Sequence, residues 1–223
     1  ARSIRRRSCD AMRELSYMGA SVLQEGAIVP VREVNIPSQI KNTKRPGEGG
    51  TIIRGKARAG EDEHRITGIA GKRDVISVHV KKAHMSGEVG FVRRALSVFE
   101  RYGVSVEHIP TGVDSFSVVV NGADVRDSIY SIITDIRREL EPDDITMVDK
   151  LALVSVVGRN MSKRSGTSGK IFGALGDAGV NIRMITQSSQ EISIIMGVEN
   201  DDFERAIQVI YDRFVRDEMV TAS

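Results

Sequence analysis

The feature that most constrains this chain is an internal duplication. The segment GFVRRALSVFERYG, from Gly90 to Gly103, is followed by VSVEHIPTGVDSFSVVV. At an offset of 76 residues the pattern returns as GTSGKIFGALGDAG, from Gly166 to Gly179, followed by VNIRMITQSSQEISIIM. A duplicated unit of this size buries its apolar face against its neighbour. Two packed modules leave a crevice between them that suits a small ligand.

Apolar periodicity gives both copies the order β-α-β-β-α. In the first copy, strands are predicted at residues 75–80, 104–109 and 115–120, and helices at residues 91–102 and 124–140, the second helix starting at Asp124. In the second copy, strands are predicted at residues 151–157, 181–186 and 191–198, and helices at residues 166–178 and 202–214. One further strand is expected, from residues 144–148 or from residues 219–222. The sequence leaves open which of the two repeats that strand completes. The pattern predicts an α+β fold of antiparallel sheets with helices on one face.

The chain before the duplication has a different character. Residues 10–23 have helical spacing, residues 27–34 form a short apolar stretch, and a strand is predicted at residues 51–54. Residues 57–64 are polar enough to be a linker or an exposed hairpin. We therefore expect three units, at residues 1–60, 61–145 and 146–223, with strands exchanged between the last two as a further possibility.

Composition excludes several classes of protein. The chain has 223 residues, of which 40% are hydrophobic, and no apolar run approaches the length of a membrane span. No secretory signal is visible, and Cys9 is the single cysteine, which favours a reducing, cytoplasmic setting without disulfides. The net charge of +2 is too small for general nucleic-acid affinity, and the run of arginines near Arg5 is interpreted as a solvated end.

Three more specific functions can be weighed from the residues. The stretch GTSGK resembles a phosphate-binding loop, but Arg164 stands where such a loop needs glycine and Ile171 where it needs Ser or Thr. The βαββαβ order also occurs in RNA-recognition modules, yet aromatic residues make up only 4% of the chain and tryptophan is absent. The four histidines show no metal-ligand spacing. A purely structural dimerisation module remains an alternative, because half-open sheets favour association.

The loop MSGEVG, from Met85 to Gly90, is a candidate ligand site on its own chemistry. It leads into a predicted helix, whose free amides and dipole suit a carboxylate such as that of an amino acid. Glu88, or Glu107 at the end of a strand, offers a charged partner for an ammonium group. The alternative for each of these residues is structural, with the glycines shaping turns, Phe91 in the core and Glu107 in solvent.

Five separated motifs resemble the C-terminal half of an aspartokinase of the lysine-sensitive class. They are MRELSYMGASVL, NIPSQIKNT with GGTII, ITGIAGKRDVISV, GFVRRALSVFERYGVSVEHIPTGVDSFSVVV and NIRMITQSSQEISIIM. The family's fold is an amino-acid-kinase domain followed by two ACT domains, each βαββαβ, that bind end-product amino acids. The resemblance thus implies a remnant of the kinase domain followed by two regulatory domains.

The resemblance also implies a division of roles. It assigns effector contacts to Met85, Gly90, Phe91, Val92, Ser105, Val106, Glu107 and Thr111, with Ser86, Gly87 and Glu88 added by the loop argument and Asn181 and Ile182 by their match to threonine-sensitive members. Glu107 stands where many members have Asp, and Gly112 where some have Ser. Arg2 matches a basic position near the nucleotide pocket.

No catalytic residue is assigned, because the family's phosphate-handling and aspartate-binding motifs lie upstream of Ala1. The intact enzyme would use ATP with Mg to phosphorylate aspartate, and this chain would hold no cofactor of its own. L-Lysine, L-threonine or both are the expected effectors. The expected partner is a second copy, paired through ACT domains, or a catalytic kinase subunit.

Overall fold

The computed structural model describes residues 6–20, 30, 36–55, 66–158, 161, 165–187 and 192–216. The described residues of its N-terminal part include a small three-stranded sheet and the helix that follows its first strand. The elements are β1 (Arg6–Ser8), α1 (Cys9–Tyr17), β2 (Ser38–Ile40) and β3 (Thr51–Arg54). The strand order is β1-β3-β2, with β1 parallel and β2 antiparallel to β3. The predicted linker at residues 57–64 lies outside the described residues.

The duplicated region forms one continuous six-stranded sheet rather than two separate sheets, and its strands are antiparallel, as the alternation predicted. Its strands are β4 (Gly68–Lys81), β5 (Val106–His108), β6 (Ser115–Asn121), β7 (Asp144–Val157), β8 (Met184–Thr186) and β9 (Ser193–Glu199). Its helices are α2 (Phe91–Arg101), α3 (Gly122–Val125), α4 (Ile129–Leu140), α5 (Thr167–Asp177) and α6 (Phe203–Tyr211). The strand order is β5-β6-β4-β7-β9-β8, and each neighbouring pair runs antiparallel.

The two repeats share their longest strands. The second half of β4 pairs with β6 and also with residues 144–148 at the start of β7. The second half of β7 pairs with β9 and also with residues 68–72 at the start of β4. Each long strand therefore begins in the four-stranded unit of one repeat and ends in that of the other. Residues 219–222, the other candidate for the remaining strand, lie outside the described residues.

Two apolar layers cover opposite faces of the sheet. On one face, Val78 and Val80 of β4 pack with α2 and α4, while Val154 and Val156 of β7 pack with α5 and α6. On the other face, Val75 of β4 packs with α1 and with other alternate residues of the sheet; that layer contains Ala11, Leu15, Met18, Val119, Leu151, Leu153 and Ile195. Because strand side chains alternate between faces, both long strands contribute to both layers.

Glycines occupy the corresponding turns of both repeats, as predicted. Gly90 and Gly166 precede α2 and α5 with φ of 79° and 81°, and Gly103 and Gly179 follow these helices with φ of 68° and 69°. Residues with a side chain rarely adopt this left-handed conformation. The duplication therefore preserves backbone geometry as well as apolar spacing.

Several predicted boundaries were wrong. The first helix begins at Cys9, because the Ser8 side chain accepts a hydrogen bond from the Ala11 amide, and it ends at Tyr17 rather than near residue 23, before Gly19 with a φ of 100°. The helix predicted at residues 124–140 is divided into α3 and α4, and Asn121 rather than Asp124 caps its start. The strand predicted at residues 75–80 is only the second half of β4.

Candidate functional site

The first part of the candidate site is the loop between β4 and α2. Residues Met85–Gly87 form one 3-10 turn, and Gly90 then turns the chain into α2. Met85 and Phe91 are buried in the first-repeat core, where the Phe91 ring meets Phe116 edge-on with 6.0 Å between centroids. Val92 packs against the same core, whereas Ser86 and Gly87 are exposed. The core thus fixes the loop and leaves its tip accessible.

Glu88 is the centre of a charged cluster in this loop. Arg94 donates a short hydrogen bond to Glu88, and the Lys82 ammonium lies 3.3 Å from its other carboxylate oxygen. The hydrogen bond from Arg94 lowers the pKa of the Glu88 carboxyl below its ordinary value. Both cations also lie over the Phe91 ring, at 5.0 Å for Lys82 and 5.8 Å for Arg94. The loop is therefore a cationic surface whose single carboxylate is already neutralised.

The second part of the candidate site follows the other end of α2. Ser105 is exposed, and Val106 and Glu107 are half-buried in β5. Val106 and His108 pair with the adjacent residues Val120 and Val119 of β6, so Glu107 is the extra residue of a bulge. Such a bulge changes the direction in which a side chain points. Thr111 lies beyond β5 and bridges to Phe116.

Glu107 has a specific partner within the chain. The Lys72 ammonium of β4 donates to both of its carboxylate oxygens at 2.8 Å. The exposed fractions are only 22% for the Lys72 side chain and 11% for that of Glu107. The other ion pairs described between residues 36 and 216 are more exposed than this one. A solvent-exposed Glu107, the alternative to a binding role considered from the sequence, is contradicted by the burial of this pair.

The two parts do not meet within one chain. The loop from Met85 precedes α2, and Ser105 to Glu107 follow it. A helix of 11 residues spans about 16 Å. One free amino acid is too short to bridge that distance within a single chain.

The second-repeat candidates differ in environment. Asn181 is exposed and Ile182 packs partly against the core of the second repeat, both just before β8 rather than within a strand starting at residue 181. Arg2, the candidate nucleotide contact, lies outside the described residues.

Sequence reasoning missed Lys72, Lys82 and Arg94. Lys72 and Glu107 are 35 residues apart and no local pattern joins them. The pair Glu88 and Arg94 is separated by six residues across a turn, a spacing that belongs to no helical pairing rule. The sequence position of Lys82 could have identified it as a candidate site residue, because it directly follows a strand and precedes the glycine-rich loop.

A groove of about 330 Å³ lies on the face of the sheet that carries α1. Ser77, His79, Ser117 and Val148 contribute to its walls, and His79 Nδ1 lies 3.1 Å from Ser117 Oγ. None of the predicted site residues that the structure describes lines this groove. Within the described part of the chain, no group of three or more His, Cys, Asp or Glu residues is placed to hold a metal ion, and no helix is long and apolar enough to cross a bilayer.

Two βαββα repeats joined through shared strands, with glycine-bounded helices, define a pair of ACT-type regulatory modules. A family model described as the ACT domain matches residues 154–214, which lie in the second repeat. The wider comparisons cover both repeats and the N-terminal segment.

The chain is homologous to the regulatory part of aspartokinases. It is 36% identical over 204 residues to aspartokinase 3 of Bacillus subtilis, a match that covers 91% of this chain and 44% of the relative. The crystal structure of Clostridium acetobutylicum aspartate kinase is 44% identical, with a TM-score of 0.86, and the match covers 96% of this chain and 48% of that one.

Aspartokinase III of E. coli, in complex with lysine and aspartate in its T state, shares the fold. The TM-score is 0.78 at 23% identity, over 96% of this chain and 46% of that one. This chain therefore spans somewhat less than half the length of each of these three relatives.

Proposed function

We propose that this chain is the amino-acid-sensing part of an aspartokinase. The intact enzyme transfers the γ-phosphoryl group of ATP, with Mg, to the side-chain carboxylate of aspartate. The present chain inhibits that reaction when an end-product amino acid binds. We assign residues 1–60 to the end of the kinase domain and the linker, residues 61–145 to the first ACT domain and residues 146–223 to the second, and we place the protein in the cytoplasm.

The separation of the two half-sites along α2 is the observation that supports this proposal. In the described part of the chain β5 pairs only with β6 and stands at the edge of the sheet. A second copy related by a two-fold axis can pair along this edge, antiparallel to the first. Such pairing brings the loop at Met85 of one copy beside Glu107 of the other. A bound amino acid would then join two chains.

The chemistry of the half-sites suits a free amino acid. Lys82, Arg94 and the amides at the start of α2 offer partners for a carboxylate, with Gly87 and Gly90 allowing close approach. Glu107 offers a partner for an ammonium group, and Ser105, Val106 and Thr111 are the further candidate contacts on this side. L-Lysine is the preferred effector because the structurally similar aspartokinase III of E. coli forms a complex with lysine. L-Threonine, at Asn181 and Ile182 in the second repeat, is the second candidate.

Inhibition requires that the effector bind two states with different affinity, typically by about 1 to 3 kcal/mol. The segment that carries α1 is the connection to the kinase domain. Because α1 packs on the sheet that both repeats share, a change in how two copies pair would be transmitted to it.

Calorimetric titration of the purified chain with L-lysine, L-threonine and both together tests the proposal, with L-aspartate as a control. Sedimentation measured with and without ligand reports whether two copies assemble. We expect saturable heat with lysine, weakened at least tenfold in Glu107→Gln. Glu204→Gln, which removes the exposed partner of Arg73, should bind like the unsubstituted chain. Absence of heat with each ligand would favour the alternative, a dimerisation module without a ligand.

A further inference from the structure

The Lys72 ammonium contacts two different parts of the molecule. It donates to both oxygens of Glu107 at 2.8 Å and lies 4.4 Å from the centroid of the Tyr17 ring. Tyr17 is the last residue of α1, and Lys72 belongs to the half of β4 that pairs with the second repeat. One cation therefore connects the N-terminal segment, the shared strand and the candidate effector site.

The sheet holds this cation in place by two irregularities. Lys72 is the last residue of β4 in register with β7 before the register shifts, and Glu107 is the extra residue in the bulge of β5. Bulges redirect side chains and occur more often than expected next to functional sites. Here they direct two distant side chains toward each other across the end of β6.

A ligand's ammonium that binds Glu107 would have to share its carboxylate with Lys72. Two ammonium groups on one carboxylate would lie about 4 Å apart, where like charges in a half-buried site repel strongly. The carboxylate of Glu107 has limited access to water, with an exposed fraction of 11%, so solvent screens this repulsion poorly. Because Lys72 already donates to both oxygens of Glu107, an incoming ammonium competes with it for the same carboxylate.

We propose that Lys72 is a built-in competitor for the effector, and that the effector's ammonium displaces it from Glu107; this rests on the amino-acid site proposed above. On displacement, the Lys72 ammonium loses the partner that holds it over Tyr17. Effector binding is thereby transmitted to α1. Lys72 is a positioning residue and sets the affinity threshold of the site.

The first test is calorimetry with L-lysine on three variants of the full chain. Lys72→Met removes the competing charge but keeps the length of the side chain, and lysine should bind about tenfold more tightly. Lys72→Arg supplies a guanidinium that holds a carboxylate with two hydrogen bonds, and lysine should bind more weakly than to the unsubstituted chain. Lys81→Met changes an exposed lysine at the other end of β4 and serves as the matched control.

The second test detects displacement without removing Lys72. The chain has no tryptophan, so Tyr17→Trp introduces a single indole at the position of the cation contact. An indole keeps the attraction to Lys72 and reports its loss as a change in emission. We expect L-lysine to change this emission in Tyr17→Trp and to leave it unchanged in the double variant Tyr17→Trp, Lys72→Met, which still binds lysine by calorimetry.

The outcomes separate this inference from the proposed function. Lysine binding with no change in emission, or with equal affinity in Lys72→Met and the unsubstituted chain, overturns the displacement and leaves the amino-acid site standing. Absence of lysine binding to the unsubstituted chain overturns both.

Discussion

Gly71→Ala should destabilise the seam between the two repeats. Gly71 pairs with Val154 where β4 and β7 cross from one unit to the other. A Cβ at this position would lie 2.4 Å from the Leu153 carbonyl oxygen and 2.6 Å from a ring carbon of Phe203. The ring can turn aside, but the carbonyl belongs to the neighbouring strand and can move only if the strand pairing moves. Steric overlap of this kind costs about 1 to 3 kcal/mol.

Part of that cost is offset in the unfolded chain, since alanine has less backbone freedom to lose, by about 0.4 to 1 kcal/mol. The net loss is about 1 to 2 kcal/mol, which in a chain of this size lowers Tm by roughly 2 to 8 °C. Gly173→Ala is the matched control. It lies inside α5 with nothing within 4 Å of the added carbon, so it should stabilise by about 0.5 to 1 kcal/mol.

Urea unfolding followed by circular dichroism at 222 nm measures both changes. Because β4 takes part in both units, Gly71→Ala should shift one cooperative transition rather than divide it in two. The steric reasoning is refuted if Gly71→Ala is as stable as the unsubstituted chain or gains stability as Gly173→Ala does.

The remaining predictions concern the first repeat. Phe91→Ala removes a buried ring that packs on Phe116 and should cost about 3 to 5 kcal/mol in urea unfolding; a cost below 1 kcal/mol would contradict this packing. A hydrogen bond to Asp135 raises the pKa of the Tyr102 phenol above its ordinary 10.0, so absorbance at 295 nm should show one tyrosine deprotonating late, and this component should vanish in Tyr102→Phe. The stabilisation from that bond is present below pH 10 and lost as pH rises through the raised pKa. The lowered pKa of Glu88 gives stability that is present above its ordinary 4.5 and lost as pH falls through the lowered value, so Glu88→Gln and the unsubstituted chain should differ in Tm at pH 7 and converge in strong acid.

The duplication predicted much of the fold because it is visible in short sequence patterns, each of which depends only on neighbouring residues. Glycine at both ends of each helix needs only a left-handed backbone, and alternation in Val75 to Val80 needs only one buried face. Such signals depend on neighbours in sequence. They gave the order of elements and the antiparallel sheet without knowledge of the packing.

What the sequence did not reveal depends on distant partners. Residues 68–72 contain two glycines and a charged side chain, and nothing local marks them as a strand; they are extended because β7 pairs with them. The apolar stripe at residues 124–140 continues through the break between α3 and α4, so spacing alone hides it. The pairing of Lys72 with Glu107 likewise depends on two strand irregularities, and the residue types at these positions do not predict either of them.

Neither ACT unit forms a complete sheet when it is separated from the other. A junction placed between the repeats, near residue 143, would leave the first unit without its fourth strand, because that strand is the start of β7. The second unit would lose the start of β4 in the same way. A recombination event or a designed chimera that brings this regulation to another enzyme must therefore carry both repeats together, from before Gly68 to the end of the second copy.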